Sequence, residues 1–307
     1  MIYLCAQPDS IYYAWQVEVM LENFLDKNIK QKDIHIVVGY RDTISPQFKK
    51  LRKKYRQVNF GFIYERRKMC NYVSSIRPYI LMKYFRKNWQ LKYKTIFYHD
   101  CDMLFTREPV LNDFLADNVW YQSDTNSYLN YDYIKSKGQD VLDLMLKIGG
   151  ISEETLKQNN FNSGGAQTIM KNVDSHFWQQ VYTMSEQLFE QVSLLNRKKK
   201  KENPKYHTLQ IWCADMWALN FVAWKQGNRT MISKYLNFTW ATDMVDKWNE
   251  NLIYHNAGVT DSHDKLFMKN KFTNILPYFV NIEIDKRRAN SKYYDLVRKM
   301  RSKTCLI

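Results

Sequence analysis

Glycine and proline are scarce in this 307-residue chain, at nine and six residues. That excludes collagen-like repeats and Pro-rich low-complexity architecture. The five cysteines, Cys5, Cys70, Cys101, Cys213 and Cys305, are odd in number and contain no CxxC pair. Neither a zinc knuckle nor a disulfide framework is expected from them. No uncharged apolar run approaches the roughly 18–20 residues that cross a bilayer. Residues 1–8 lack the basic and long apolar regions of a signal peptide, so a reducing cytoplasm is expected and the sequons at Asn228 and Asn237 read as chance matches. Internal repeats are absent too. What remains, 45% hydrophobic and 25% charged residues, is ordinary globular composition with room for a sizeable α/β core.

Acidic residues are also in short supply. Lys plus Arg less Asp plus Glu is 46 − 31 = +15. Residues 41–94 hold 16 basic and 2 acidic side chains, and residues 285–303 hold 8 and 2. Such asymmetry points to a polyanionic partner: nucleic acid, an anionic membrane face or a phosphorylated substrate. A merely solubilising surface is the bland alternative.

The first hundred residues alternate between two periodicities. A strand at 2–6 precedes a helix at 11–26, whose Tyr13, Val17, Met20, Leu21 and Phe24 recur on one face. The β-branched run 34–38 reads as a strand buried on both sides, followed by a basic helix near 46–56 and a strand at 60–64. A helix at 76–88 follows Ser75 as its cap, with Pro78 in the first turn, and a strand at 95–99 follows that. Strand–helix alternation of this kind predicts a parallel sheet with crossover helices. Further helices are expected at 175–194 and 215–226, separated by a polar run at 196–204 that reads as a mobile loop.

Four short segments carry chemistry. The apolar strand ending in His99-Asp100-Cys101-Asp102 places two carboxylates at i and i+2, on one side of an extended chain. Carboxylate oxygens suit Mg²⁺ or Mn²⁺, and strand carboxyl ends are where open α/β sheets bind ligands. In Asn162-Ser163-Gly164-Gly165 the glycines would let backbone approach a ligand closely. Asp215 precedes an apolar helix, where it would cap the helix or reach a sugar hydroxyl. Ile253-Tyr254-His255 delivers an imidazole, a good Mn²⁺ ligand, to a small-residue turn ending in Gly258.

In their order these segments resemble the GT-A glycosyltransferases, particularly the family 8 type, over about residues 1–260. The resemblance rests on Asp100/Asp102, Asn162/Gly164, Asp215/Leu219/Asn220 and His255/Gly258. It implies a mostly parallel mixed sheet flanked by helices, in a domain at 1–270 with a donor half at 1–105 and an acceptor half at 106–270. A basic helical extension would occupy 271–307. It also implies that Asp100, Asp102 and His255 bind Mn²⁺ (or Mg²⁺). Ala6, Gln7, Asp9, Arg77, Asp100, Gly164 and Gly258 would then meet a nucleotide-sugar donor, a UDP-sugar by the resemblance, and Asp215 and Asn162 would serve the reaction. Two departures stand out. Met216 follows Asp215 where the family usually has Gln, and a Lys-Pro-Trp ending is missing, leaving Lys265, Lys269 or Lys271 to face the diphosphate. Lys83 reads as a structural ion-pair residue.

The function expected is therefore a metal-dependent, retaining transfer of a hexosyl or pentosyl group to a glycan, lipid-linked or protein-linked acceptor. The 196–206 segment is a candidate lid. The basic regions would hold an anionic membrane, with 290–303 as an interfacial helix. Two rivals share the charge argument: a transferase acting on a nucleic-acid base, told apart by salt-sensitive retention on duplex DNA, and a non-catalytic nucleic-acid-binding protein, which would bind no sugar nucleotide.

Overall fold

The computed structural model describes all 307 residues. In chain order the elements are β1 (Ile2–Pro8), α1 (Ile11–Asp26), β2 (Ile34–Tyr40), α2 (Pro46–Lys54), β3 (Asn59–Tyr64), α3 (Ile76–Lys87), β4 (Ile96–Tyr98) and β5 (Met103–Phe105). Then come β6 (Trp120–Asp124), α4 (Tyr131–Lys135), α5 (Gln139–Gly149), α6 (Glu153–Gln158), β7 (Gly164–Met170), α7 (Ser175–Glu202), α8 (Ala214–Lys225) and β8 (Thr230–Ile232). The chain ends with β9 (Phe238–Trp240), α9 (Lys247–Glu250), β10 (Ile253–His255) and α10 (Asn290–Lys299). The architecture is mixed α/β and mostly parallel, as expected. No helix is long and apolar enough to cross a membrane.

The chain divides into two units. One comprises residues 2–64, 99–111 and 235–307. In it β1 pairs with β2 and β2 with β3, all parallel. β1 and β2 are buried along most of their length, as their continuous apolar runs require. A second, three-stranded sheet has β10 at its centre, antiparallel to β5 and parallel to β9. Glu18 of α1 is fully buried and accepts from Tyr278, Thr304 and the Cys305 N–H at 2.9, 2.7 and 2.9 Å, with Lys54 at 3.3 Å. Four donors satisfy the buried carboxylate and tie the tail to α1 and α2.

The other unit comprises residues 65–98 and 112–234. Here β7 runs antiparallel to both β4 and β6, and β8 adds parallel to β6. α8 is buried nearly all round, as a helix carrying Trp217, Phe221, Val222 and Trp224 must be.

Several local expectations change. The 196–204 run is no loop: α7 continues to Glu202. Lysines are good helix formers, cations in a last turn favour the helix dipole, and Lys199 reaches Asp140 at 2.5 Å. Asn196 clamps the returning chain through Leu209, at 2.8 and 3.2 Å. A lid there has no structural basis. Ser75 holds the N-cap position of α3 but makes no capping hydrogen bond, because its hydroxyl donates to Glu186 and accepts from Arg67. Lys83 lies over the Tyr79 ring rather than in an ion pair. α10 does not offer an apolar face to a membrane, since its Tyr293 and Val297, with Met300 just beyond its end, are buried.

His35 on β2 is buried, and burial pushes its imidazole down to about 4, against a smaller opposing pull from Asp33. Between pH about 6.5 and about 4 the unfolded chain binds a proton there and the folded chain does not, so stability falls as pH falls. The loss is on the order of 3 kcal/mol across that window. Urea midpoints measured across it should decline, and His35→Gln should flatten the decline. An equally steep decline in the variant refutes the assignment.

Candidate active site

The two aspartates do not lie on an extended strand. Asp100 and Asp102 occupy the turn that joins β4 to β5, so alternation along a strand is not what brings them together. The turn does so with help from β10. Antiparallel pairing sets His255 opposite Met103, and the next N–H, of Asn256, donates to the Asp102 carbonyl at 3.0 Å. One ligand atom from each of Asp100, Asp102 and His255 then lies within 4.8 Å of the others. His255 Nε2 is 3.3 Å from Asp102 Oδ1 and 3.6 Å from Asp100 Oδ2. Neighbouring oxygen and nitrogen ligands on an octahedral dication sit about 3 Å apart. The donor set and spacing therefore fit Mn²⁺ or Mg²⁺.

The other Asp102 oxygen, Oδ2, accepts from Lys269. Burial alone would raise this carboxyl, but the Lys269 ammonium and His255 outweigh it and hold Asp102 well below the usual carboxylate range. The same pairing drives Lys269 upward against burial. Lys269 is held there by its neighbours. Phe267 and Phe272 stack at 5.2 Å, Asn290 brackets the Phe267 backbone, Trp15 donates to the Phe272 carbonyl at 3.1 Å, and Tyr12 donates to Asn270 at 2.9 Å. Of the three candidate lysines, Lys269 meets the acidic pair, whereas Lys265 pairs with Glu283 at 2.6 Å.

In the same unit, Ala6 and Gln7 end β1 as buried residues. Gln7 is 2% exposed, yet neither its amide oxygen nor its nitrogen has a partner. Asp9 uses Oδ2 for the Ser45 N–H at 2.7 Å and leaves Oδ1 without a partner. Gly258 has φ of 85°, a conformation side chains resist, in the turn after β10.

A second cluster lies in the other unit. Asp215 is not the cap of α8, a place taken by Cys213. From the first turn its carboxylate pairs with Arg77 at 2.7 Å and accepts from the Tyr72 hydroxyl at 2.6 Å. Burial first, then the Asp215 charge, pushes the Tyr72 phenol far up, so it stays a donor. Tyr72 belongs to none of the motifs that sequence singles out, and only the fold brings it to Asp215. The loop is held by buried Glu186, which accepts the Tyr72 N–H at 3.2 Å and the Ser75 hydroxyl, and by Arg67, which donates to Ser75 at 2.8 Å.

The paired glycines serve the protein's own packing. A Cβ on Gly164 would lie 2.5 Å from Gln122 and Ser123 atoms, and one on Gly165 would lie 2.1 Å from the Met216 side chain. The Gly164 N–H donates to Gln122 at 3.2 Å and its carbonyl accepts from Asn220 at 2.9 Å. Gly164 thus has its backbone N–H and carbonyl engaged inside the fold. Asn162 lies half-buried just before it, and Asp124 is exposed at the end of β6, opposite Gly164.

No family model and no curated protein matches the chain. Solved structures do. The bifunctional glycosyltransferase WbbM superposes on 97% of this chain with a TM-score of 0.52 at 12% identity. The chain spans about half of WbbM, 49% of its length. The galactosyltransferase LgtC, solved with donor and acceptor sugar analogues, is 12% identical over 99% of this chain and 100% of its own, with a TM-score of 0.49. GlyE of Streptococcus pneumoniae TIGR4 is 10% identical over 98% and 63%, with a TM-score of 0.39. The fold is the GT-A type that the motifs implied. At such identities the likeness speaks for the fold and leaves the chemistry to the side chains.

Replacing Lys269 by Met strands a buried Asp102 charge, which typically costs about 3–5 kcal/mol. Urea unfolding of metal-free Lys269→Met should show that loss, and added Mn²⁺ should restore more stability to the variant than to the unaltered protein. Unchanged metal-free stability would refute the pairing.

Proposed function

We propose that the chain is a metal-dependent glycosyltransferase that moves a sugar from a nucleotide-sugar donor, a UDP-sugar, to a glycan or glycoconjugate acceptor with retention of configuration. The observation that carries this reading is the Asp100–Asp102–His255 cluster, three ligands drawn from segments more than 150 residues apart in sequence. The retaining course, the UDP moiety and the acceptor class rest on the motif resemblance. A reducing cytoplasm is part of the proposal, supported by five free cysteines.

Asp100, Asp102 and His255 would hold Mn²⁺ or Mg²⁺, which supplies Lewis-acid charge neutralisation for a diphosphate leaving group. Lys269 holds the Asp102 carboxylate ionised and adds a second positive charge where phosphate oxygens gather. The orphaned Gln7 amide has an NH₂ donor group and a carbonyl acceptor to offer a base edge, and the free Oδ1 of Asp9 can accept from a ribose hydroxyl. Arg77, in the first turn of α3, brings a guanidinium suited to anions. Asp215, ionically paired with Arg77 and bonded to Tyr72, orients a sugar hydroxyl, and Asn162 supplies a further amide. Met216 in place of Gln makes that part of the donor contact apolar.

The deciding measurement is a thermal-shift panel of nucleotide sugars with and without Mn²⁺. One donor should raise the melting temperature only with metal, by an amount set by its affinity, and Asp102→Asn should abolish the rise. Gln7→Leu should leave the unliganded melting temperature level or higher, because it removes an unsatisfied buried amide, while shrinking the donor-induced shift. No shift with any donor would sink the proposal. NMR of freshly formed product should show the donor's anomeric configuration; the opposite configuration would overturn retention alone.

A further inference from the structure

Trp212 is 58% exposed, one of two tryptophans, with Trp89 at 62%, whose side chains stay largely in solvent. It is not loosely held. Its indole N–H donates to Gln210 at 3.0 Å, and the Gln210 N–H in turn donates to Tyr133 at 3.0 Å. Tyr128 lies beside it, with ring centroids 5.6 Å apart and planes inclined at 37°. Its backbone carbonyl lies 2.6 Å from the Tyr72 hydroxyl, the same oxygen that sits 2.6 Å from the Asp215 carboxylate. Glu186 and Arg67 pin the Tyr72 backbone. An aromatic pair with a fixed orientation thus rises from the segment whose backbone carbonyl shares the Tyr72 hydroxyl with Asp215.

What surrounds the pair narrows its occupant. Gln210 and Ser127 are exposed and Asn126 is half-buried, and they place amides and a hydroxyl in this same part of the unit. A protein-binding patch would show contiguous apolar side chains; here two rings are set among hydrogen-bonding groups. A matching ligand presents an apolar face and a hydroxyl-rich edge together. Sugars do so: one ring face carries only C–H groups, whose positive hydrogens suit the negative face of an aromatic ring, while the equatorial hydroxyls point outward.

From this juxtaposition we infer that Trp212 and Tyr128 form a saccharide-binding platform that seats the glycan acceptor next to Asp215. The choice of a glycan rests on the transferase reading above, and the platform names where its acceptor binds. Stacking on a preset ring requires no side-chain ordering on binding, which favours weak but oriented capture.

The binding measurement needs neither donor nor metal. Saturation-transfer NMR is recorded with lactose, maltose and N-acetyllactosamine as probes, saturating aromatic protons of the full chain. At least one disaccharide should receive saturation on its C–H face. Trp212→Ala should weaken that binding by about three- to tenfold, and Trp212→Phe, which keeps a ring, should retain most of it. Trp212 is largely exposed, so melting and the metal-dependent donor shift should be unchanged in both variants. Failure of all three sugars to bind, equal binding by Trp212→Ala, or a changed oligomeric state in that variant would each overturn the platform. Loss of the donor shift in the unaltered protein would instead sink the transferase reading, so the two failures are distinguishable.

Discussion

A buried carboxylate must be compensated, and in this protein Asp102 sets that requirement. Taking its charge out of water costs several kcal/mol unless positive groups meet it. The Lys269 ammonium meets it on Oδ2, and His255 Nε2 lies 3.3 Å from Oδ1. Satisfying Asp102 fixes much else in that unit. β10 must run antiparallel to β5 to bring His255 level with Met103. The 267–272 segment must be clamped by Asn290, Trp15 and stacked phenylalanines to hold Lys269. The same cluster could hold a dication, because its two carboxylates carry more negative charge than one lysine cancels and its ligand atoms lie within 4.8 Å of one another.

The second unit solves a related problem by different means. Asp215 keeps its ionic partner Arg77 and its phenolic donor Tyr72, and Tyr72 is fixed through Glu186 and Arg67. Asn220 and Gln122 together lock the Asn162-to-Gly165 segment. The Asp-x-x-x-Leu-Asn helix and the Asn-x-Gly segment are therefore one hydrogen-bonded assembly. That gives a physical reason for their joint occurrence: the helix Asn bonds the Gly164 carbonyl, and Gly164 must lack a side chain to lie against β6.

Basic composition was a poorer guide than motif order. The segment 290–303 read as a membrane-facing helix, yet the apolar side chains of that segment are buried. The lysine run at 198–201 read as a loop, yet it is the end of a 28-residue helix. In both places charge described the solvent face only. The opposite face, decided by contacts with distant residues such as Tyr254 against Tyr293 and Leu209 against Asn196, has no local signature.

The sequence by itself determined the elements of the first hundred residues, α7 as far as residue 194, α8 and the identities of the three metal-type ligands. Hydrophobic period and residue chemistry are local properties, and they survive without knowledge of the fold. Tertiary structure alone decided that a turn rather than a strand presents Asp100 and Asp102, and that Lys269 rather than Lys265 faces them. It also decided that Tyr72 serves Asp215 and that Trp212 stands exposed while its carbonyl shares the Tyr72 hydroxyl. Those outcomes depend on register between β5 and β10 and on which side chains a buried charge can reach, and register is set by pairing across 150 residues of intervening chain.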